Sequence, residues 1–300
     1  MSSKEQFSAK ILADSVNVCG NRLTTFELTY PRMIHSEIMT HRLFSRNAAS
    51  SRAIPIQKTL KAVFENPFVP FHWGANQAGM QADNLLDRES ADACRADWLL
   101  AASEMIYRVE NLHRNGLHKQ IANRLLEPFM YITVVLSTTS FRHFELLRNH
   151  PTAEPHFQHL AQLMVKARQD SVPELLQSGQ WHLPLIYDED RAALSLDDLK
   201  KVSVARCARV SYVRQNEIKN YADDFALYDR LVGSDPKHAS PTEHQATPYV
   251  RHQLRSSTGV YYCEGVWVGL PSGNFLGWKQ HRKEIEGEFV PDDPYTGPVR

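Results

Sequence analysis

His41-Arg42-Leu43-Phe44-Ser45-Arg46-Asn47-Ala48-Ala49-Ser50-Ser51-Arg52 sets three arginines, three serines, a histidine and an asparagine within a dozen residues. An arginine guanidinium is a planar fork of donors that matches phosphate oxygens, and serine hydroxyls and backbone N–H groups serve the acceptor positions left over. The stretch therefore reads as an anion-binding constellation, with a phosphorylated small molecule as its natural occupant. A solvated basic surface segment is the alternative reading of the same residues.

Upstream, Phe26, Leu28 and Tyr30 alternate with Thr25, Glu27 and Thr29, so Arg22 to Tyr30 is expected to form a half-buried strand. Pro31 suits a first helical turn. Ile34, Ile38 and His41 then share one face of a helix reaching to about Arg42, which delivers His41 and Arg42 to the site. The small residues Ala48 to Ser51 predict a loop whose backbone a ligand can approach.

Downstream, residues 66–81 contain Pro70, Gly74 and Gly79 and read as an irregular loop carrying Trp73. Ala91 to Leu112 is expected to be a helix packing through Trp98, Ala101, Ala102, Met105 and Val109. Met130 to Leu136 is apolar and β-branched and predicts a buried strand. Helices are expected over Ser140 to Arg148 and Glu154 to Arg168, with a break at Pro151. Residues 171–198, with Pro173, Gly179 and Pro184, form the linker candidate. Beyond them, Glu217 to Val232 predicts a helix and Gly259 to Leu270 an aromatic-rich strand.

Thirty-four basic side chains balance 34 acidic ones, so there is no global basic field for nucleic acid and any anion site must be local. With 300 residues and 42% hydrophobic composition the chain can bury a substantial core. Cys19, Cys94, Cys207 and Cys263 have no metal-like spacing and are expected to be reduced and partly buried. No metal site is expected. The amino terminus lacks a secretory apolar core and no apolar run reaches transmembrane length, so a cytoplasmic location without membrane attachment is expected. Glycine-rich phosphate loops and the H-E-x-x-H zinc pattern are absent.

The opening stretch resembles the H-R-x(7)-S-x-R core of the flavin-dependent thymidylate synthase signature. Thr40, Ala48 and Ala53 stand where that family usually has an arginine, a glutamate and an aromatic residue. Two more regions resemble the same family. Ser203-Val204-Ala205-Arg206-Cys207-Ala208-Arg209-Val210-Ser211, with His238-Ala239-Ser240-Pro241-Thr242-Glu243-His244, is similar to its A-R-x-S and H-x-[ST]-P-x-E-H elements. Gln120 to Pro128, followed by Phe144-Glu145-Leu146-Leu147-Arg148, is similar to the segments that hold its pyrimidine nucleotide. In the family the H-x-[ST]-P-x-E-H element precedes the arginine-rich signature; here it follows. The order reads as a circular permutation, with residues 171–198 joining the permuted segments of one 1–300 domain.

The resemblance implies an α+β fold, a central antiparallel or mixed sheet with flanking helices. It implies reductive methylation of dUMP to dTMP, with FAD as cofactor and NADPH and methylenetetrahydrofolate as co-substrates. FAD falls to His41, Arg42, Ser45, Asn47, Ser240 and Glu243, and the nucleotide to Ser50, Ser51, Arg52, Arg124 and Arg148. Arg148 is the catalytic candidate, because a fixed cation at the pyrimidine carbonyl edge stabilises charge that develops on the ring. Taken without the resemblance, Arg148 reads as a helix-terminal arginine and Glu243 and His244 as capping or buried hydrogen-bonding groups. A homotetramer is implied as well. Residues 274–283 have no counterpart and read as an extension of the site, an interface helix or a solvated amphipathic helix. Two other functions stay open: a related pyrimidine nucleotide hydroxymethylase, suggested by Ala48, and a noncatalytic phosphate- or RNA-binding protein.

Overall fold

Phe26, Leu28 and Tyr30 are fully buried, and so are Thr24 and Thr25 on the opposite faces of the same strand. The alternation in the sequence is real, but both faces are covered, because the polar row is hydrogen-bonded under a second layer of chain. Residues 3–82, 84–210, 220–249 and 273–288 are described by the structure, a computed structural model. The expected strand over residues 259–270, the serine of the A-R-x-S element at position 211 and the start of the helix expected from Glu217 lie outside the described residues.

The elements run β1 (Ser8–Asn17), β2 (Arg22–Pro31), α1 (His35–Met39), β3 (Ser45–Ala48), α2 (Ile56–Glu65), α3 (Arg88–Arg114) and α4 (Lys119–Ala122). They continue with β4 (Tyr131–Thr138), α5 (Arg142–Arg148), α6 (Pro155–Asp170), β5 (Glu174–Leu176), α7 (Asp188–Ala193), α8 (Leu196–Val210), α9 (Tyr221–Val232), β6 (Ala246–Pro248) and β7 (Trp278–Gln280). The main sheet has five strands in the order β3-β4-β2-β1-β5. Only the β1–β5 pair is parallel, so the sheet is mixed and the fold is α+β with flanking helices.

One sheet face carries Phe26, Leu28, Tyr30, Ile132, Val134 and Leu136, packed against Phe144 of α5 and Phe157, Leu160 and Met164 of α6. This is the principal core, and its burial is the main driving force for the fold. On the other face Val135 packs against Cys207 and Val210 of α8. A separate apolar cluster seats α3 through Ala102 and Val109 against α2 and residues 122–130, with Trp98 donating to the Phe68 carbonyl at 2.7 Å. Ala101, expected in that stripe, faces solvent.

Three local expectations change. The helix predicted from Pro31 is a 3-10 turn over Arg32–Ile34 followed by the short α1, because Pro31 is extended and still paired with Tyr131 in the sheet. Arg46 donates to the carbonyls of Ile38 (3.0 Å) and His41 (3.1 Å), each of which also accepts a backbone N–H, and so ties β3 to the turn that follows α1. Residues 274–283 are not a helix: they form β7, paired with β6, and a 3-10 turn. Cys19 is disulfide-bonded rather than reduced, whereas Cys94 and Cys207 are free thiols.

Residues 171–198 are integrated into the body through β5 and α7. Asp190 of α7 is fully buried and accepts from Arg206 of α8 at 2.6 and 2.9 Å, the Tyr221 hydroxyl at 2.9 Å and the Tyr187 N–H at 2.9 Å. Burial alone would raise its carboxyl; these donors outweigh burial and hold its pKa at about 2. Between about 2 and the ordinary 3.8 the folded chain therefore binds fewer protons than the unfolded one. The contribution of Asp190 is complete above that interval and is lost as pH falls through it. Asp190→Ala leaves the largely buried Arg206 guanidinium with only Asp224, at 3.5 Å, and the Leu185 carbonyl, and is expected to cost about 3 kcal/mol in urea unfolding at neutral pH. A midpoint within error of wild type would show that the ion pair does not hold α7 to α8.

Candidate functional site

β3 is an edge strand, and its register assigns each of its side chains to a face. Arg46 pairs with Leu136 and so lies on the side of the principal core; Ser45 pairs with Ser137 and Asn47 with Val135, on the side covered by α8. The predicted site residues divide accordingly.

On the core side, Arg148 at the end of α5 donates from Nε to His41 Nε2 at 3.0 Å, and its guanidinium lies 4.8 Å from the Phe157 ring centroid. The His41 ring stacks on Phe44 at 5.4 Å and meets Phe144 edge-on at 5.1 Å. The geometry requires an imidazole that is neutral, with its proton on Nδ1. Burial, followed by the charge of Arg148, holds the His41 pKa down to about 4. Glu37, one helical turn before His41, has its carboxyl pushed up by burial and by Glu154, with Arg148 opposing. Arg42, two positions beyond Thr40, faces solvent.

On the α8 side, the buried Ser45 hydroxyl accepts from Gln280 Nε2 at 3.1 Å, and the same nitrogen donates to the Glu243 carbonyl at 2.7 Å. The Glu243 carboxylate is paired with Arg282. Asn47 is only 9% exposed, and its side-chain amide has no hydrogen-bond partner among the described residues. His244 is completely buried and its Nε2 is likewise unpartnered. Ser240 is exposed on the 3-10 turn Ser240–Glu243.

A third group follows β3. Ser51 Oγ donates to Glu127 at 2.6 Å, and the same carboxylate lies 3.1 Å from Arg32 and 3.9 Å from Arg124. Asn123 holds the loop by donating to the carbonyls of Ser51 (2.8 Å) and Ile54 (2.9 Å). Arg52 is exposed with no partner among the described residues, and Ser50 is half-buried beside it. His35 and Tyr30, bonded at 2.8 Å, feel the charges of both Arg32 and Arg46, which places this group electrostatically next to the first two.

The structure thus brings His41 to Arg148, Ser45 to Glu243 through Gln280, and Ser51 to Arg124 through Glu127. The residue-level prediction omitted Glu37, Arg46, Glu127, Gln280 and Arg282. Glu37 was recoverable, since residues four apart share a helical face. Gln280 was not, since it meets Ser45 across 235 positions. No group of three or more His, Cys, Asp or Glu among the described residues is disposed to hold a metal ion.

No family model matches the sequence, and no curated protein does. Among the solved structures that overlap part of the fold are two of one methylase. A UMP/dUMP methylase PolB from Streptomyces cacaoi bound with 5-Br UMP gives a TM-score of 0.45 at 16% identity, over 54% of this chain and 88% of that one. The same methylase bound with 5-Br dUMP gives 0.40 at 19% identity, over 49% of this chain and 66% of that one.

Replacing Arg148 by alanine removes the second of the two causes that depress His41. An NMR titration is expected to move the His41 midpoint upward from about 4, part of the way to the ordinary 6.5. An unmoved midpoint would mean that the guanidinium does not face the ring in solution.

Proposed function

We propose that this protein is a flavin-dependent enzyme that reductively methylates dUMP to dTMP, taking the carbon from methylenetetrahydrofolate and reducing equivalents from NADPH. The observation that carries the reading is the junction on β3. Ser45 and Asn47 of the arginine-rich stretch lie on the same sheet face as Ser137, which is bonded to His244 of the H-x-[ST]-P-x-E-H element at 2.8 Å. Two motif blocks whose order is reversed along the chain are therefore adjacent in space, as one shared site requires.

The residues present suit a heteroaromatic cofactor. His244 Nε2 is a buried polar atom without a partner among the described residues, and such atoms in native proteins generally mark a bound ligand or water; the Asn47 amide, on the same sheet face, makes no hydrogen bond among the described residues either. Asn47, Ser45, Ser240 and Glu243 would hold FAD on that side of β3, with His41 and Arg42 at its start. When bound, the flavin supplies the hydride that completes the methyl group. Ser50, Arg52 and Arg124 would take the nucleotide phosphate. The Ser51 hydroxyl is engaged by Glu127, so Ser51 would contribute its backbone N–H unless that bond opens. Arg148, held by the His41 lone pair and the Phe157 ring, would present its remaining N–H groups to the pyrimidine carbonyl edge. A cation fixed there stabilises negative charge as carbon 5 attacks. No cysteine is needed, and burial pushes the Cys207 thiol up to about 12, which makes it a poor nucleophile.

By the same resemblance the enzyme acts as a cytoplasmic homotetramer; Leu100 and Tyr107, 67% and 51% exposed on α3, offer apolar surface for assembly. No helix among the described residues is long and apolar enough to cross a membrane.

The purified protein is expected to carry a flavin absorption band and to form dTMP from dUMP, methylenetetrahydrofolate and NADPH. Arg148→Ala is expected to lower turnover by on the order of 10²–10³ with flavin retained. His41→Ala is expected chiefly to lower flavin occupancy. A hydroxymethylated pyrimidine in place of dTMP would redirect the reading to the hydroxymethylase, and a colourless protein without turnover would overturn it.

A further inference from the structure

Five buried side chains form a single hydrogen-bonded row across the sheet. Ser15 Oγ lies 2.9 Å from His182 Nδ1, and His182 Nε2 lies 2.8 Å from Thr25 Oγ1. Thr25 Oγ1 then meets Ser137 Oγ at 2.6 Å, and Ser137 Oγ meets His244 Nδ1 at 2.8 Å. Thr25 and Ser137 are cross-strand partners on β2 and β4, so both point to the same face. None of the five is more than 3% exposed. His182 comes from the segment between β5 and α7, and no function has been attached to it above.

Burial holds both imidazoles down to about 3, so each is neutral and carries one N–H. The protons of the row can then run in one of two senses. In the first, Ser15 donates to His182 Nδ1, His182 Nε2–H to Thr25, Thr25 to Ser137, and Ser137 to His244 Nδ1. Every hydroxyl proton has an acceptor, and the proton of His244 sits on Nε2. In the second, His244 Nδ1–H donates to Ser137 and each later donor points the other way, to His182 Nδ1–H and Ser15. The hydroxyl proton of the buried Ser15 then has no acceptor among the described residues. The first sense leaves one buried group unmet, the His244 Nε2–H, whereas the second leaves two, the Ser15 hydroxyl proton and the His244 Nε2 lone pair; each unmet group costs free energy, so the first sense wins. It leaves His244 with a buried N–H that nothing among the described residues accepts.

We infer that Ser15, His182, Thr25 and Ser137 fix His244 as its Nε2–H tautomer, and that this N–H is a donor to a ring carbonyl oxygen or an unprotonated ring nitrogen of a bound heterocycle. A neutral donor suits a neutral acceptor, whereas the arginines beyond β3 suit an anion. His244 is the contacting residue and the other four are positioning residues. The choice of a heterocycle rests on the flavin and pyrimidine reading above; the tautomer does not.

Long-range proton–nitrogen correlation spectra of the full chain with ¹⁵N-labelled histidine test both halves, with His244→Gln identifying the resonance. Without ligand, His182 and His244 are both expected as Nε2–H tautomers. Thr25→Val is expected to abolish the single tautomer at His244, and Thr25→Ser to restore it. A wild-type His244 protonated on Nδ1 overturns the inference, whatever the Thr25→Val protein does. FAD and then dUMP are added next, with binding followed by absorption and calorimetry. The Nε2–H resonance is expected to shift with one of them. If both bind and neither moves the resonance, the donor role fails and a buried water is its partner. If neither binds while the tautomer is as expected, the enzyme reading and the choice of ligand fail, and the fixed tautomer stands.

Discussion

Gln280 is almost completely buried and uses its whole amide: the nitrogen donates to Ser45 and to the Glu243 carbonyl, and the oxygen accepts from the Asn274 N–H at 3.1 Å. That one side chain joins the edge strand to two later segments. Gly273, at φ +77°, passes so close that any Cβ would strike the Gln280 amide, so the turn into β7 is shaped around it. A buried amide with every group engaged is strongly directional, and a partly satisfied one would be worse than an apolar replacement. Ser45 of β3 can stay buried because Gln280 hydrogen-bonds it, and Ser137 of β4 because Thr25 and His244 do, while α8 covers the same face through apolar contacts with Val135.

The constraint explains which parts of the fold the sequence made legible. β2, β4, α3, α5 and α6 carry their own periodicity, and their apolar faces alone determine where they pack. β3 is different. Ser45-Arg46-Asn47-Ala48 has neither β-branched residues nor alternating hydrophobicity, and it is a strand only because β4 offers a free edge. The helix expected after Pro31 is cut short because Pro31 stays in the sheet, and the turn that ends it is tied to Arg46, a residue of that same unrecognised strand. β5 has three residues inside a proline-bearing stretch that reads as a linker, and its pairing with Asn17 and its neighbours is wholly tertiary.

The candidate site was legible in the same uneven way. His41 and Arg148 belong to separate motifs, and their contact is what joining those motifs demands. Ser51 and Arg124 read as phosphate donors from the sequence, whereas Glu127, the carboxylate that organises them, does not stand out there, since a negative charge does not suggest an anion site. Arg206 and Arg209 of the A-R-x-S element turn to Asp190 and Asp224 and hold α7, α8 and α9 together. Their place in the motif is structural in this chain, whereas His244 of the second element keeps a buried ring nitrogen without a partner among the described residues.

A crystal structure of the protein with FAD and dUMP bound tests most directly whether the two blocks close on one site. The account requires the flavin to contact residues 45–47 together with residues 240–244, and the pyrimidine of the same site to lie against Arg148, within one protomer or across neighbouring ones. Ligands seated away from β3, or contacted by only one of the two blocks, would contradict it.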